Sequence, residues 1–181
     1  MRYEIRAAGF GGQGIITLGY VLAKAAVIHD RKYASMTQSY GPEARGGACR
    51  ADVIVSNEPI DYPKLSQFEC FVAMSNDAYK QFHGGVGDGG IVILEGELVQ
   101  PEQSEMIENA TYYYVSSLKE AEELGNKLVA NMVMLGFVQS ITGVVSEKAV
   151  EEAVLERFPR YAELNLRAVR KGMQLGKLAK A

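Results

Sequence analysis

At 181 residues the chain is long enough for one domain with a real core and too short for two comfortable ones. Its 48% hydrophobic and 23% charged residues exclude a disordered segment, and the net charge of −3 excludes a general attraction to nucleic acid or to an anionic membrane. No apolar stretch approaches the ~20 residues that span a bilayer, and Cys49 and Cys70 are too few for a disulfide framework. The opening MRYEIRAAGFGG lacks the apolar core and small-residue cleavage site of a signal peptide, so the cytoplasm is the expected location.

In chain order, Tyr3–Ala8 reads as a short strand that runs at once into Gly9-Phe10-Gly11-Gly12-Gln13-Gly14. Ile15, Leu18, Leu22 and Ala25 then recur at helical spacing, widened by Val21 and Ile28. Tyr33–Gln38 is a second strand, Ser39–Gly47 an irregular loop rich in breakers, and Ala48–Ser56 a third strand turned by Asn57-Glu58-Pro59. Phe68–Met74 and Ile91–Leu94 are short and apolar, as buried parallel strands are, and Tyr112–Val115 is a further strand. The last third is helical. Leu128–Val138 is apolar almost all round except Asn131, which implies burial on most sides, in the core or under another subunit. Ser146 with Lys148–Phe158 forms an amphipathic helix stopped by Pro159, and Tyr161–Leu178 a final one. The expected fold is therefore α/β over residues 1–181 as a single domain, three-layer-like, with a largely parallel sheet, a Rossmann-like first strand–glycine turn–helix and a helical C-terminal third.

Charge is segregated: Glu95–Leu124 holds eight Glu and one basic residue, Lys119, whereas Arg157 onward holds seven Lys or Arg and one acid, Glu163. Two solvated faces of opposite sign account for this, and a basic final helix that grips an acidic partner is the second reading.

Gly9 to Gly14 fits G-x-G-x-x-G between a strand and a helix, where glycines let a phosphate approach the backbone and the helix N-terminus supplies free N–H groups. A dinucleotide site also needs an acid at the end of the second strand for the ribose, but that strand runs into Thr37-Gln38-Ser39, and Asp30 precedes it. A tight packing turn and a phosphate site both remain open. In Tyr40-Gly41-Pro42-Glu43-Ala44-Arg45-Gly46-Gly47 a proline stiffens the chain while paired glycines and Arg45 suit it to present backbone and one guanidinium outward. Gly87-Asp88-Gly89 looks like the opening of a thiamine diphosphate motif, yet it lies in a glycine-rich run before a strand and reads as a flexible turn. His29 and His83 are isolated from any metal-ligand spacing and suit surface or capping roles. Cys49, beside Arg50, is a candidate for a slightly acidified thiol, and Cys70 for core.

Together the two glycine clusters, the strand ending Val53-Ile54-Val55-Ser56 and the later Asn126-Lys127-x-x-x-Asn131 with Leu135-Gly136 resemble the gamma subunits, or equivalent fused domains, of the 2-oxoacid:ferredoxin oxidoreductases, over nearly the whole chain. The resemblance, closest to the 2-oxoglutarate enzymes around Tyr40 to Asp52, implies a non-catalytic subunit of a complex. That complex turns 2-oxoglutarate into succinyl-CoA with CO2 release and ferredoxin reduction. It implies alpha and beta partners and a ferredoxin-like delta partner, with thiamine diphosphate and iron–sulfur clusters in those sister subunits. It places no catalytic and no metal-binding residue here, and no cofactor on this chain alone. Gly11, Gly12, Gln13, Gly14, Arg45 and Gly46 are the residues it suggests for the coenzyme A side of the site. A free-standing NAD(P)- or flavin-binding oxidoreductase and a regulatory binding module are the competing readings.

Overall fold

The computed structural model describes residues 1–41 and 47–181. Six strands form one sheet in the order β2-β3-β1-β4-β5-β6: β1 Arg2–Phe10, β2 Tyr33–Tyr40, β3 Ala48–Ser56, β4 Phe68–Ala73, β5 Val86–Glu95 and β6 Thr111–Val115. The run β1-β4-β5-β6 is parallel, as expected, while β3 pairs antiparallel with both β1 and β2. The helices are α1 Ile15–Lys24, α2 Asn76–Phe82, α3 Ser117–Glu123, α4 Ala130–Thr142, α5 Glu147–Arg157 and α6 Ala162–Lys180. Among the described residues no helix is long and apolar enough to cross a membrane.

Alternation along the strands divides the core in two. Ile5 and Ala7 of β1, Val53 and Val55 of β3, and Cys70 and Val72 of β4 meet α1 and the C-terminal helices in the larger cluster. On the other face Phe71, Ala73, Val92 and Leu94 meet Ala78, Tyr79 and Phe82 of α2 in a smaller one. Beyond α2 that second face carries charge: Arg6 and Asp52, directly opposed in the β1–β3 register, form a bidentate pair at 2.7 and 2.9 Å, with the guanidinium 4.6 Å from the Phe68 ring centroid.

The all-round apolar α4 is enclosed by this chain itself, packed by α1, α3, α5 and α6, with Phe137 edge-on to Tyr113 of β6. That corrects the alternative that another subunit covers it. Its contact with α6 is backbone on backbone. A Cβ on Gly136 would overlap the Val169 carbonyl and sit 2.9 Å from the Met173 nitrogen; one on Gly172 would overlap the Val133 carbonyl and sit 2.8 Å from the Phe137 nitrogen. Close-packed helices normally stand 8–10 Å apart, set by the side chains between them, and here glycine removes those side chains.

Other expectations need correction. Seven-residue α2 and α3 give fewer than two full periods of a hydrophobic pattern and were not expected from the sequence. β2 runs on through Ser39 and Tyr40, which the sequence places in the loop, because its pairing with β3 continues to Cys49. Gly87-Asp88-Gly89 lies within β5, not before it, at a register shift between Phe68 and Cys70 of β4, with Gly89 at φ 72° and Asp88 accepting from Asn109 Nδ2 at 3.1 Å. One pair joins the segregated stretches, Lys171 with Glu120 at 3.3 Å, while Arg170 pairs with Glu151 and Lys177 with Glu147 of α5, both at 2.7 Å. The C-terminal part of α6 is thus spent on this chain's own acids and is not a free handle.

A methyl group at the α4–α6 contact cannot be absorbed by a side-chain rotation, since backbone atoms oppose it. Gly172→Ala is expected to lower unfolding free energy by about 3 kcal/mol, at the upper end of overpacking costs. Urea unfolding followed by circular dichroism measures this; a loss under about 1 kcal/mol would mean the helices part freely.

Candidate functional site

The parallel strands β1, β4, β5 and β6 all end at one rim, where α1, α2 and α3 begin. In open α/β sheets this rim is where ligands meet backbone N–H groups, at the crevice where the connections diverge. Here the divergence lies beside β1, since the chain first passes to β2 and β3 on one side and then to β4 on the other.

The glycine turn sits in that crevice, and side chains fix it. Gln13 folds back so that its Oε1 accepts from the Phe10 nitrogen at 2.7 Å, while its Nε2 donates to the Met74 carbonyl at 2.9 Å. The turn is thereby tied to the end of β4. A Cβ at Gly9 would stand 2.5 Å from Gln13 Oε1, so a larger residue there would push the glutamine off its bond to Phe10. Gly14, at φ 77°, is the N-cap of α1 and brings no capping side chain; no acid occupies the first turn. Asn131 of α4 donates from Nδ2 to the Gly14 carbonyl at 3.2 Å. Asn131, the one polar residue between Leu128 and Val138, is thus the link between α4 and the turn.

Gly11, Gly12, Gln13 and Gly14 are therefore together, though not as four equal donors. The Gly11 nitrogen donates to the Gly47 carbonyl at 3.2 Å and the Gln13 nitrogen to Phe10 at 3.1 Å. The Gly12 and Gly14 N–H groups have no partner among the described residues. Arg45 and Gly46 lie outside the described residues. The flanks of their loop are placed: besides the Gly11–Gly47 bond, the Gly41 nitrogen donates to the Ala48 carbonyl at 2.9 Å. The two glycine motifs, ~30 residues apart in sequence, thus meet at one rim.

Sequence reasoning missed the floor of the site. Gly12, Gln13, Met74, Glu95, Leu98, Leu118, Lys127, Leu128 and Ala130 line a hollow of about 170 Å³. Glu95, the last residue of β5, is fully buried; its Oε2 accepts from the nitrogens of Glu97 and Leu98, both at 2.9 Å, and its Oε1 from Leu118 at 3.2 Å. It so fixes the turn after β5 and caps α3, whose own N-cap Ser116 makes no side-chain bond. An acid closing the apolar run Ile91–Leu94 was the available signal. At the mouth, Leu128 is 79% exposed and Lys127 bonds Glu122 at 2.6 Å.

The remaining candidates resolve as structure. Asp30 receives the Ser146 nitrogen at 2.7 Å and hydroxyl at 2.6 Å, supporting the start of α5, so its carboxylate is not turned to a ribose. His83 closes α2, its Nδ1 2.8 Å from the Tyr79 carbonyl, as a capping role requires. His29 is partly buried, its Nδ1 2.8 Å from Glu152. Burial pushes up the thiols of Cys49 and Cys70, which overturns the acidified reading of Cys49. An iron–sulfur cluster needs about four thiolates, so two buried, proton-retaining thiols do not fit one; among the described residues no His, Cys, Asp and Glu group can hold a metal ion. Asp88, tied to Asn109 inside a strand, likewise does not fit the diphosphate end of a thiamine cofactor.

A family model described as pyruvate ferredoxin/flavodoxin oxidoreductase matches residues 4–175. The chain is 46% identical over 180 residues to the 2-oxoglutarate synthase subunit KorC of Methanothermobacter marburgensis, covering 97% of each. It is similar to the keto/oxoacid ferredoxin oxidoreductase gamma subunit of Geobacter sulfurreducens, with a TM-score of 0.86 and 36% identity over 99% of this chain and 98% of that one. A longer chain, the 2-oxoglutarate:ferredoxin oxidoreductase of Magnetococcus marinus with 2-oxoglutarate, coenzyme A and succinyl-CoA bound, gives a TM-score of 0.88 and 26% identity, the match covering 98% of this chain and 31% of that one.

Two outcomes test the geometry of the turn. Gln13→Ala removes both ends of the staple and leaves the Phe10 N–H and the Met74 carbonyl without their partner, so a loss of about 2 kcal/mol is expected in chemical unfolding. Native protein at pH 8 should react with a thiol reagent only as fast as it opens, because both thiols stay protonated and buried; rapid labelling of Cys49 would contradict its environment.

Proposed function

The chain belongs to the pyruvate ferredoxin/flavodoxin oxidoreductase family, and from that premise we propose that it is the gamma subunit of a 2-oxoglutarate:ferredoxin oxidoreductase. The assembled enzyme converts 2-oxoglutarate and coenzyme A to succinyl-CoA and CO2, and passes two electrons to ferredoxin. Similarity to a 2-oxoglutarate synthase subunit over nearly all of both chains is the observation that carries the choice of substrate. Alpha and beta subunits, with a ferredoxin-like delta subunit, are its companions, in the cytoplasm. Thiamine diphosphate and iron–sulfur clusters, held in those companions, supply the decarboxylation and electron transfer.

This chain, a single domain over residues 1–181, contributes binding and position. The Gly12 and Gly14 N–H groups and the positive end of α1 offer donors to a phosphate of coenzyme A. Arg45 and Gly46, in the loop whose flank is bonded to Gly11, add a cation and a further backbone donor. Gln13, whose backbone nitrogen and side-chain amide are engaged by Phe10 and Met74, acts by holding the turn in shape.

Affinity purification of the native complex through a tag on this chain tests the reading. Companion subunits should be recovered, and the complex should reduce ferredoxin with 2-oxoglutarate at a kcat/KM at least about tenfold above that with pyruvate or a branched-chain oxoacid. In the same complex Arg45→Ala should raise the KM for coenzyme A about ten- to a hundredfold with assembly intact, since a charge-assisted hydrogen bond is lost, and Arg45→Lys should restore only part. An unchanged KM would remove Arg45 from the coenzyme A site.

A further inference from the structure

Most cations of the helical C-terminal third are consumed by this chain. Arg170, Lys171 and Lys177 pair with Glu151, Glu120 and Glu147, and Lys180 donates to the Ser140 carbonyl at 3.1 Å. At the corner where α5 turns into α6 the pattern reverses. Arg157, Arg160 and Arg167 are exposed and have no carboxylate partner among the described residues, and the one acid of that stretch is Glu163. The neighbouring carboxylates of α5 are already engaged, Glu156 by Lys24 and Glu152 by His29 and Lys148.

The corner is also rigid. Pro159 stops α5; the Phe158 nitrogen donates to Val154 at 3.0 Å and the Tyr161 nitrogen to Phe158 at 3.1 Å. The buried Asn165 then grips the Tyr161 carbonyl with both its backbone nitrogen, at 3.1 Å, and its Nδ2, at 2.9 Å. Aromatic rings hold the first arginine: the Arg157 guanidinium carbon lies 5.3 Å from the Phe158 centroid and 5.9 Å from that of Tyr20. Ile16, Thr17, Tyr20 and Arg157 frame an open hollow of about 400 Å³ there. Tyr20 is 46% and Tyr161 69% exposed, on a protein whose net charge is −3.

Tyrosine and arginine on a rigid backbone are the residues that carry binding energy in protein interfaces, and ordering costs little where the backbone is already fixed. We infer that the α5–α6 corner, with Arg157, Arg160, Arg167, Tyr20 and Tyr161, docks an acidic segment of a companion subunit in the assembly. A carboxylate entering the hollow meets a planar fork already held over aromatic rings, a geometry that Lys would not reproduce. The inference rests on the reading of this chain as one subunit of a larger enzyme.

The test compares tagged wild type, Arg157→Glu/Arg160→Glu, Arg157→Lys/Arg160→Lys and Lys180→Glu, each co-expressed with the companion subunits. Charge reversal at the corner should weaken companion binding about ten- to a hundredfold in a salt titration, with an unchanged melting temperature of the isolated chain. The lysine variant should lose part of the affinity and keep its salt dependence, and Lys180→Glu, away from the corner, should bind as wild type does. Wild-type recovery of the charge-reversal variant at every salt concentration would overturn the inference, as would intact assembly with only a raised KM for coenzyme A, which would make the hollow a small-anion site. Absence of companions even with wild type would overturn the subunit reading, and the inference with it.

Discussion

The backbone contact of α4 with α6 at Gly136 and Gly172 is the constraint on which the arrangement of the molecule depends. Because no side chain separates the helices there, the separation and crossing of α4 and α6 are set by main-chain atoms. With its other sides against α1, α3 and α5, and Phe137 against Tyr113 of β6, α4 has little room to shift. Its first turn then carries Asn131 to the Gly14 carbonyl, ~120 residues away in sequence. The turn at the sheet rim is thus held from below by the helical third, and from the side by Gln13 reaching to β4.

The rim gathers features that a stable fold alone would avoid. Gly12 and Gly14 adopt positive φ, α1 starts without a side-chain cap, a carboxylate lies fully buried, and Leu128 stands in solvent. Each has a local physical account except the last two taken together. Glu95 is tolerated inside because three backbone N–H groups solvate it, and those bonds shape the turn after β5 and start α3. What they do not explain is why such a fixed floor should lie beneath an apolar mouth. A surface built to meet other molecules accounts for both.

Much of this was legible in the sequence, for identifiable reasons. Ile15, Leu18 and Leu22 repeat over enough turns to mark α1, whereas the Phe68 run is short and carries two phenylalanines and the Ile91 run is short and β-branched, which favours strands. Asn131 stands out as the one polar residue of the apolar run Leu128–Val138, and it is the link to the turn. The antiparallel placement of β3 was not legible, since period-two alternation carries no direction. Neither was the spending of α6 charges on Glu120, Glu147 and Glu151, which becomes visible only when segments distant in sequence are folded together. Gln13 has the same difficulty: a glutamine in a glycine run suggests a donor to ligand, and only the position of Met74 shows its amide already engaged.

The terminal strand β2 has a consequence for how the protein is made. Tyr33–Tyr40 is eight residues long, holds no charged residue and no proline, and pairs with β3 without a bulge, whereas β6 on the opposite edge has only five residues. Long edges usually carry lysine, proline or a kink that discourages further pairing, and β2 has none of these. The outer edge of β2 is therefore a ready template for cross-strand addition, from a second copy as easily as from any other nascent chain. During synthesis such an edge is an aggregation hazard until something covers it.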